Sequence, residues 1–239
     1  MLKSRLCIAF FAFAVGCAPA QKPLTDYVNP MLGTATLWDS VDLGFKPTKR
    51  TWGAEVFPGS SLPNAMVQVS PVTKFHSGAG YQYEDSVIYG FTHTNKGHWN
   101  LCHIPLLPVT GTPTPGDYCS PFSHERESAA PGYYQVFLDR YGVDAQLSST
   151  LRCAFHKYTY PAGAAASLLA DLQRSNEHVR AWDIRKEGDN VFAGWQQTGE
   201  KMYFYAVANR PVTGIEPVVE GDREVRIVRF GEGDGALEL

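Results

Sequence analysis

The feature that most constrains this chain is the period-two alternation that begins at Gly132. Tyr134, Val136 and Leu138 alternate with Gln135 and Asp139, and Val143, Ala145 and Leu147 alternate with Asp144, Gln146 and Ser148. Successive side chains of a strand point to opposite faces, so this pattern describes strands with one face buried. Arg140-Tyr141-Gly142 between them reads as a hairpin connection. Further strands are expected over 151–160, 167–172, 179–185, 191–196, 202–208 and 224–230. Turn residues separate them: Pro161-Ala162-Gly163, Glu187-Gly188-Asp189-Asn190, Thr198-Gly199-Glu200 and Glu220-Gly221-Asp222. Many short strands with polar turns between them specify an all-β antiparallel sandwich or barrel. No segment carries a long helical stripe, and neither an internal repeat nor a linker is visible. At 239 residues the chain holds one large β domain or two small ones.

The first half reads differently. Residues 39–131 are rich in Gly, Pro, Asn and Thr, with short apolar pieces at 65–69 and 104–109. Tyr81, Tyr83, Tyr89, Phe91 and Trp99 argue against disorder, so this stretch is expected to form long ordered loops on the β scaffold, where binding residues tend to sit. Net charge is −3 with no basic run, which speaks against nucleic acid as a partner. Aromatics make up 13% of the chain, which suits both strands and sugar-binding surfaces, because flat rings pack on the apolar faces of pyranoses.

Residues 1–20 read as an export signal. Lys3 and Arg5 precede the apolar run 6–15, and Ala18-Pro19-Ala20 offers a small-x-small cleavage site before Gln21. The run is too short for a transmembrane span, which needs about 20 apolar residues. Ala14-Val15-Gly16-Cys17 also resembles a lipoprotein box with Cys17 as the lipid acceptor. Either way the mature chain is expected outside the cytoplasm: periplasmic, secreted or lipid-anchored at the cell surface. Of the remaining cysteines, Cys102, Cys119 and Cys153, a Cys102–Cys119 bridge is allowed, and three buried thiols are expected. Ala236-Leu237-Glu238-Leu239 alternates without an exit, as a strand would in a chain that continues.

Four stretches carry a family resemblance. They are Tyr27-Val28-Asn29-Pro30-Met31-Leu32-Gly33-Thr34; Phe57-Pro58-Gly59-Ser60-Ser61-Leu62-Pro63 with Met66-Val67-Gln68-Val69-Ser70-Pro71; Gly80-Tyr81-Gln82-Tyr83 with Ile88-Tyr89-Gly90-Phe91-Thr92-His93-Thr94; and Phe122-Ser123-His124-Glu125 with Ala130-Pro131-Gly132-Tyr133-Tyr134. In this order they resemble the N-terminal domain of glycoside hydrolase family 92. The resemblance implies a galactose-mutarotase-like β-sandwich over 21–239, the N-terminal part of a larger two-domain enzyme. It further implies that this sandwich packs on a C-terminal (α/α)6 catalytic domain, that the whole removes α-linked mannose from glycans with inversion, and that it needs calcium. The catalytic acid and base would then come from the helical domain. One segment departs from the family: Asn95-Lys96-Gly97-His98-Trp99-Asn100-Leu101-Cys102-His103-Ile104 replaces a Ser-Gly-rich loop and an acidic Gly-Asp-Ile run. The competing expectation is a free-standing carbohydrate-binding or structural β-sandwich module.

The residues themselves give no catalytic pair. Glu84 and Asp85 are strand neighbours and point apart, while Glu125 and Glu127 flank Arg126 and read as structural or solvated carboxylates. His93, His98 and His103 are evenly spaced, but a strand alternates them and a helix rotates each by roughly 140°. No zinc module and no EF-hand loop is present, so a calcium ligand from this chain would be a backbone carbonyl. Nothing matches a serine-hydrolase elbow or a nucleotide loop. Trp99, between His98 and Asn100, has the composition of a sugar subsite: an aromatic plate beside hydrogen-bonding groups. The expected substrate-facing set is therefore Trp99, His98, Asn100, His93 and Tyr83, with Trp182 and Trp195 in the core.

Overall fold

The computed structural model describes residues 22–36, 44–46, 56–96, 99–114, 118–233 and 235–239, with the side chains of Asn95, Lys96, Trp99 and Glu220 excepted. The proposed signal, residues 1–20, lies outside the described residues.

The regular structure of the described chain is nearly all strand, with only short 3-10 turns such as Leu24–Tyr27 and His124–Arg126. Numbering strands along the chain, one sheet runs in the order β1 (Ser60–Ser61), β2 (Gln68–Val72), β4 (Gly90–Thr92), β7 (Leu106–Thr110), β13 (Ala166–Ala170), β18 (Arg223–Phe230) and β17 (Val212–Glu220). A second runs β19 (Leu237–Glu238), β12 (Ala154–Thr159), β11 (Val143–Ser149), β10 (Tyr133–Leu138) and β9 (Glu127–Ala130). A third comprises β14 (Ala181–Gly188), β15 (Val191–Gln197) and β16 (Lys201–Val207). Two small ribbons pair β3 (Val87–Ile88) with β8 (Ser120–Pro121), and β5 (Asn95–Lys96) with β6 (Trp99–Asn100). All the pairings are antiparallel, as in the expected sandwich.

The β10–β11 hairpin forms as its pattern requires. Register runs from Tyr133 opposite Ser148 to Leu138 opposite Val143, and Gly142 closes the turn at φ +65° with its N–H on the Leu138 carbonyl at 2.9 Å. The register puts Tyr134, Val136, Leu138, Val143, Ala145 and Leu147 on one buried face. That face packs over the larger sheet, with β11 lying against β1, β2 and β7. β13 is buried along its whole length, between β7 and β18, and its Leu168 and Leu169 sit on opposite faces of the sheet. Burying such a side chain contributes about 1.5–3 kcal/mol. The three-stranded sheet docks through Ile184, Phe192 and Phe204, with the Phe192 ring 6.2 Å from that of Phe230.

Several expectations shift. The strand expected over 151–160 starts only at Ala154, because Thr150 turns the chain: its Oγ1 accepts from Cys153 N at 3.0 Å. β9 and β17 were not legible in the sequence; β17 contains Gly214 and Pro217. Proline is tolerated there because β17 is an edge strand and its outer side has no ladder to complete. The apolar pieces of the stretch expected as long loops contribute to inner strands, β2 and β7. The cysteines are not three buried thiols: Cys102 is buried, Cys119 half-buried and Cys153 exposed, and none is bridged.

Candidate functional site

The loops between β2, β4 and β7 converge on a segment with unusual backbone. Cys102 and Ile104 both adopt left-handed conformations, φ 52° and 56°. For a β-branched residue this is a true outlier, of order 1–3 kcal/mol, and it persists only where surrounding bonds over-determine it. Those bonds are present. Asn100 Oδ1 accepts from Cys102 N at 2.8 Å, and Gln196 Oε1 accepts from Ile104 N at 2.8 Å. Asn176 donates from Nδ2 to the carbonyls of Asn100 (2.5 Å) and Ser77 (3.0 Å). Gly80, at φ +75°, passes so close that a Cβ there would lie 2.6 Å from Asn100 Nδ2.

Two of the five expected sugar-facing residues are built into this frame. Asn100 is buried, with its amide spent on Thr92 and Cys102, so it supports the loop from inside. His93 belongs to a directed chain of hydrogen bonds. Its Nδ1 faces the Ile104 carbonyl at 2.9 Å and must donate, so its Nε2 accepts from His156 Nε2 at 3.0 Å. His156 Nδ1 then accepts from the Tyr158 hydroxyl at 2.7 Å. Every group is satisfied with both imidazoles neutral. Burial lowers His93 to about 4 and His156 well below the ordinary histidine value. His103 completes a parallel relay: Thr94 at Nδ1 (2.9 Å), Thr198 at Nε2 (3.2 Å), and Thr198 donating onward to Glu177 at 2.6 Å. His93 and His103 are thus each committed to separate hydrogen-bond chains, and His98 lies outside the described residues. So does the Trp99 side chain, whose backbone pairs with Lys96 in β6.

Tyr83 is the expected residue that the structure places at the surface. The residue is 39% exposed, and its ring stacks on His124 at 3.9 Å with an interplanar angle of 4°. His124 donates from Nε2 to the Tyr83 carbonyl (2.6 Å), and its Nδ1 lies 2.5 Å from Glu127 Oε2. Glu127 is almost wholly buried and also accepts from the hydroxyls of Tyr81 (2.9 Å) and Tyr134 (2.6 Å). Burial, and then the Glu127 charge, push both phenols up, so they remain donors. Glu127 is therefore a structural carboxylate that fixes a surface plate. Glu84 is likewise committed, to Thr36 N and Oγ1, and Asp85 to Thr73.

The tryptophan assignment needs correcting. Trp195 faces outward on β15 and is only half-buried, with the Lys201 ammonium 4.0 Å over its ring. Trp182 is also half-buried, against the core on one side and beneath Arg226 at 4.9 Å. Among the described residues no three His, Cys, Asp or Glu side chains come together as a metal site. No helix of the described chain is long and apolar enough to cross a membrane.

The architecture is that of an antiparallel β-sandwich domain whose long first-half loops are locked by buried polar networks. The chain belongs to the family described as the glycosyl hydrolase family 92 N-terminal domain, whose family model matches residues 27–233. It is similar to the solved structure of a family 92 α-mannosidase from Bacteroides thetaiotaomicron, with TM-score 0.75 and 24% identity over 91% of this chain and 32% of that one. The same mannosidase in complex with mannoimidazole gives TM-score 0.74 and 25% identity over the same shares. A family 92 inverting mannosidase from that organism gives 0.71 and 22%, covering 91% of this chain and 31% of the other. The chain thus spans about a third of the length of these structures. No curated protein matches it in sequence.

Proposed function

We propose that this chain is the N-terminal domain of an exported, inverting, calcium-dependent α-mannosidase acting on glycans. The observation that carries the proposal is the family match over 27–233 together with the structural likeness to a mannosidase that binds mannoimidazole. In this reading the sandwich packs on a helical catalytic domain and supplies one wall of the sugar site. Inversion needs a carboxylic acid and a carboxylate about 6.5–9.5 Å apart with room for water. Glu84, Asp85 and Glu127 are all engaged in hydrogen bonds, which supports an acid and base from the helical domain. Tyr83, held flat against His124, offers its open face to a pyranose ring, and the composition of the Trp99 segment supports Trp99 and His98 as further sugar-contacting residues. Lys3, Arg5, the apolar run and Ala18-Pro19-Ala20 support export.

The test is the whole enzyme containing this chain, assayed on mannobiose and an aryl α-mannoside. The expected result is release of the inverted anomer, lost on chelation and restored by calcium. Tyr83→Ala and Trp99→Ala should raise KM or lower kcat with little change in Tm. Retention of configuration, or no cleavage of either substrate, refutes the proposal.

A further inference from the structure

Between the loop after β13 and the neighbouring stretches of β14 and β18 lies a cavity of about 630 Å3. Small-ligand sites run from roughly 300 to 1,000 Å3. The cavity shares no lining residue with Tyr83, His124 or the 93–104 segment. Its lining is charge-balanced: the guanidinium groups of Arg174, Arg180 and Arg226 stand against the carboxylates of Glu177, Asp183 and Glu224. The lining therefore carries no net charge that would favour a simple anion or a simple cation. What the lining does offer is fork-shaped donors and acceptors together with the half-buried Trp182.

The walls are held in place before any ligand arrives. Arg226 is paired with Glu224 and lies over Trp182, while Arg174 lies 4.1 Å over the Phe75 ring and 4.9 Å over Tyr89. The loop itself is tied down: Gln196 donates to the carbonyls of Leu172 and Arg174, each at 2.9 Å, and Ser175 Oγ accepts from Glu177 N at 2.9 Å. His76 N donates to Asn176 Oδ1 at 2.6 Å, which fixes the opposite lip. Such preorganisation removes much of the ordering cost of binding. Glu177 has one oxygen engaged by Thr198 and a side chain that is nearly half exposed. Among the described residues the side chains of His178 and Arg180 have no hydrogen bond or ion pair, and both line the cavity.

We propose that this cavity is a second binding site on the domain, for one neutral hexose-sized unit of a glycan. Vicinal hydroxyls are both donors and acceptors, so each can bridge a guanidinium and a carboxylate, and such charge-assisted bonds are the strong ones. The part of Trp182 that borders the cavity adds apolar surface for the C–H side of the ring. The inference concerns this chain's own lining and does not depend on cleavage.

The test is titration of the full chain with the methyl α-glycosides of mannose, glucose and galactose, and separately with inorganic phosphate and glucuronate. At least one neutral glycoside should bind saturably. Arg180→Ala combined with His178→Ala should weaken it at least tenfold without moving Tm, because both side chains are exposed and hold nothing in the fold. Tyr83→Ala should leave that binding intact. Saturation by phosphate or glucuronate but by no neutral glycoside overturns the ligand class. Binding that survives the double variant and disappears in Tyr83→Ala overturns the location, and no saturation at all overturns the site. A whole enzyme that cleaves no mannoside while this titration succeeds refutes only the mannosidase reading.

Discussion

Burial holds His93 and His156 neutral in the folded chain and lowers His103 in the same direction. The unfolded chain takes up these protons near pH 6.5, whereas folded His93 does so only at about 4. In that window the unfolded state carries more protons, so stability falls as pH falls, by about 1.4 kcal/mol per pH unit for each such histidine. The stabilisation is complete above the ordinary histidine value and is lost on the way down to pH 4. Urea midpoints measured from pH 7.5 to 4.5 should decline steadily, and a flat profile would contradict the buried pair. A second residue-scale outcome concerns Glu127, which is shared by Tyr81, Tyr134 and His124. Glu127→Ala orphans buried hydroxyls at roughly 1–3 kcal/mol each, so it should cost about 3 kcal/mol or more, read from denaturant unfolding. Glu125→Ala, at an exposed position, should cost almost nothing. Equal effects would mean that Glu127 is not the hub it forms here.

The three-stranded sheet is the element most sensitive to a single methyl group. Gly194 sits in β15 between β14 and β16, and a Cβ there would lie 2.2 Å from the Asp183 carbonyl oxygen and 2.8 Å from the Phe204 ring. A backbone oxygen in the middle of a ladder cannot swing aside as a flexible side chain can. Gly194→Ala should therefore destabilise by about 1–3 kcal/mol, the usual range for overpacking. Gly199, with open space around its Cβ position, is the control. If both substitutions leave Tm unchanged, the close approach of β14 and β15 is wrong. The alternation of β16 points Tyr203, Tyr205 and Val207 outward and Met202, Phe204 and Ala206 inward. Trp195, opposite Tyr203 on the outer face, should consequently lose far less on change to Ala than the ~3–5 kcal/mol of a core tryptophan.

At the scale of the whole molecule, apolar side chains remain uncovered in several places. Leu24, Tyr27, Val28 and Leu32 are exposed in the N-terminal segment, Leu151 and Phe155 at and near the start of β12, and Tyr203, Tyr205 and Val207 on the third sheet. Exposed apolar surface of this extent drives association. Residues 21–239 expressed alone should self-associate in sedimentation or bind a hydrophobic dye. A dye-negative monomer would count against a sandwich that packs on a further domain.

The period-two pattern of β10 and β11, their glycine turn and the apolar run of β13 were legible along the chain, because strand alternation and turn chemistry are local properties. So were the four family-like stretches, which lie within or beside the strands and loops they were expected to build. The tertiary structure decided the rest. β17 hides behind Gly214 and Pro217, residues a strand accepts only at an edge, and edges exist only once the sheet is assembled. Gln196 reads as one more strand residue, yet it is fully buried and bonded to Leu172, Arg174 and Ile104, each far away in sequence. Glu127 reads as a structural or a solvated carboxylate, and the structural role depends on Tyr81 arriving from another loop. His93 meets His156 across 63 positions, which no spacing rule could reveal. A local pattern sets which face of a strand is apolar; a buried polar group is tolerated only when distant partners satisfy it, and those partners are chosen by the fold.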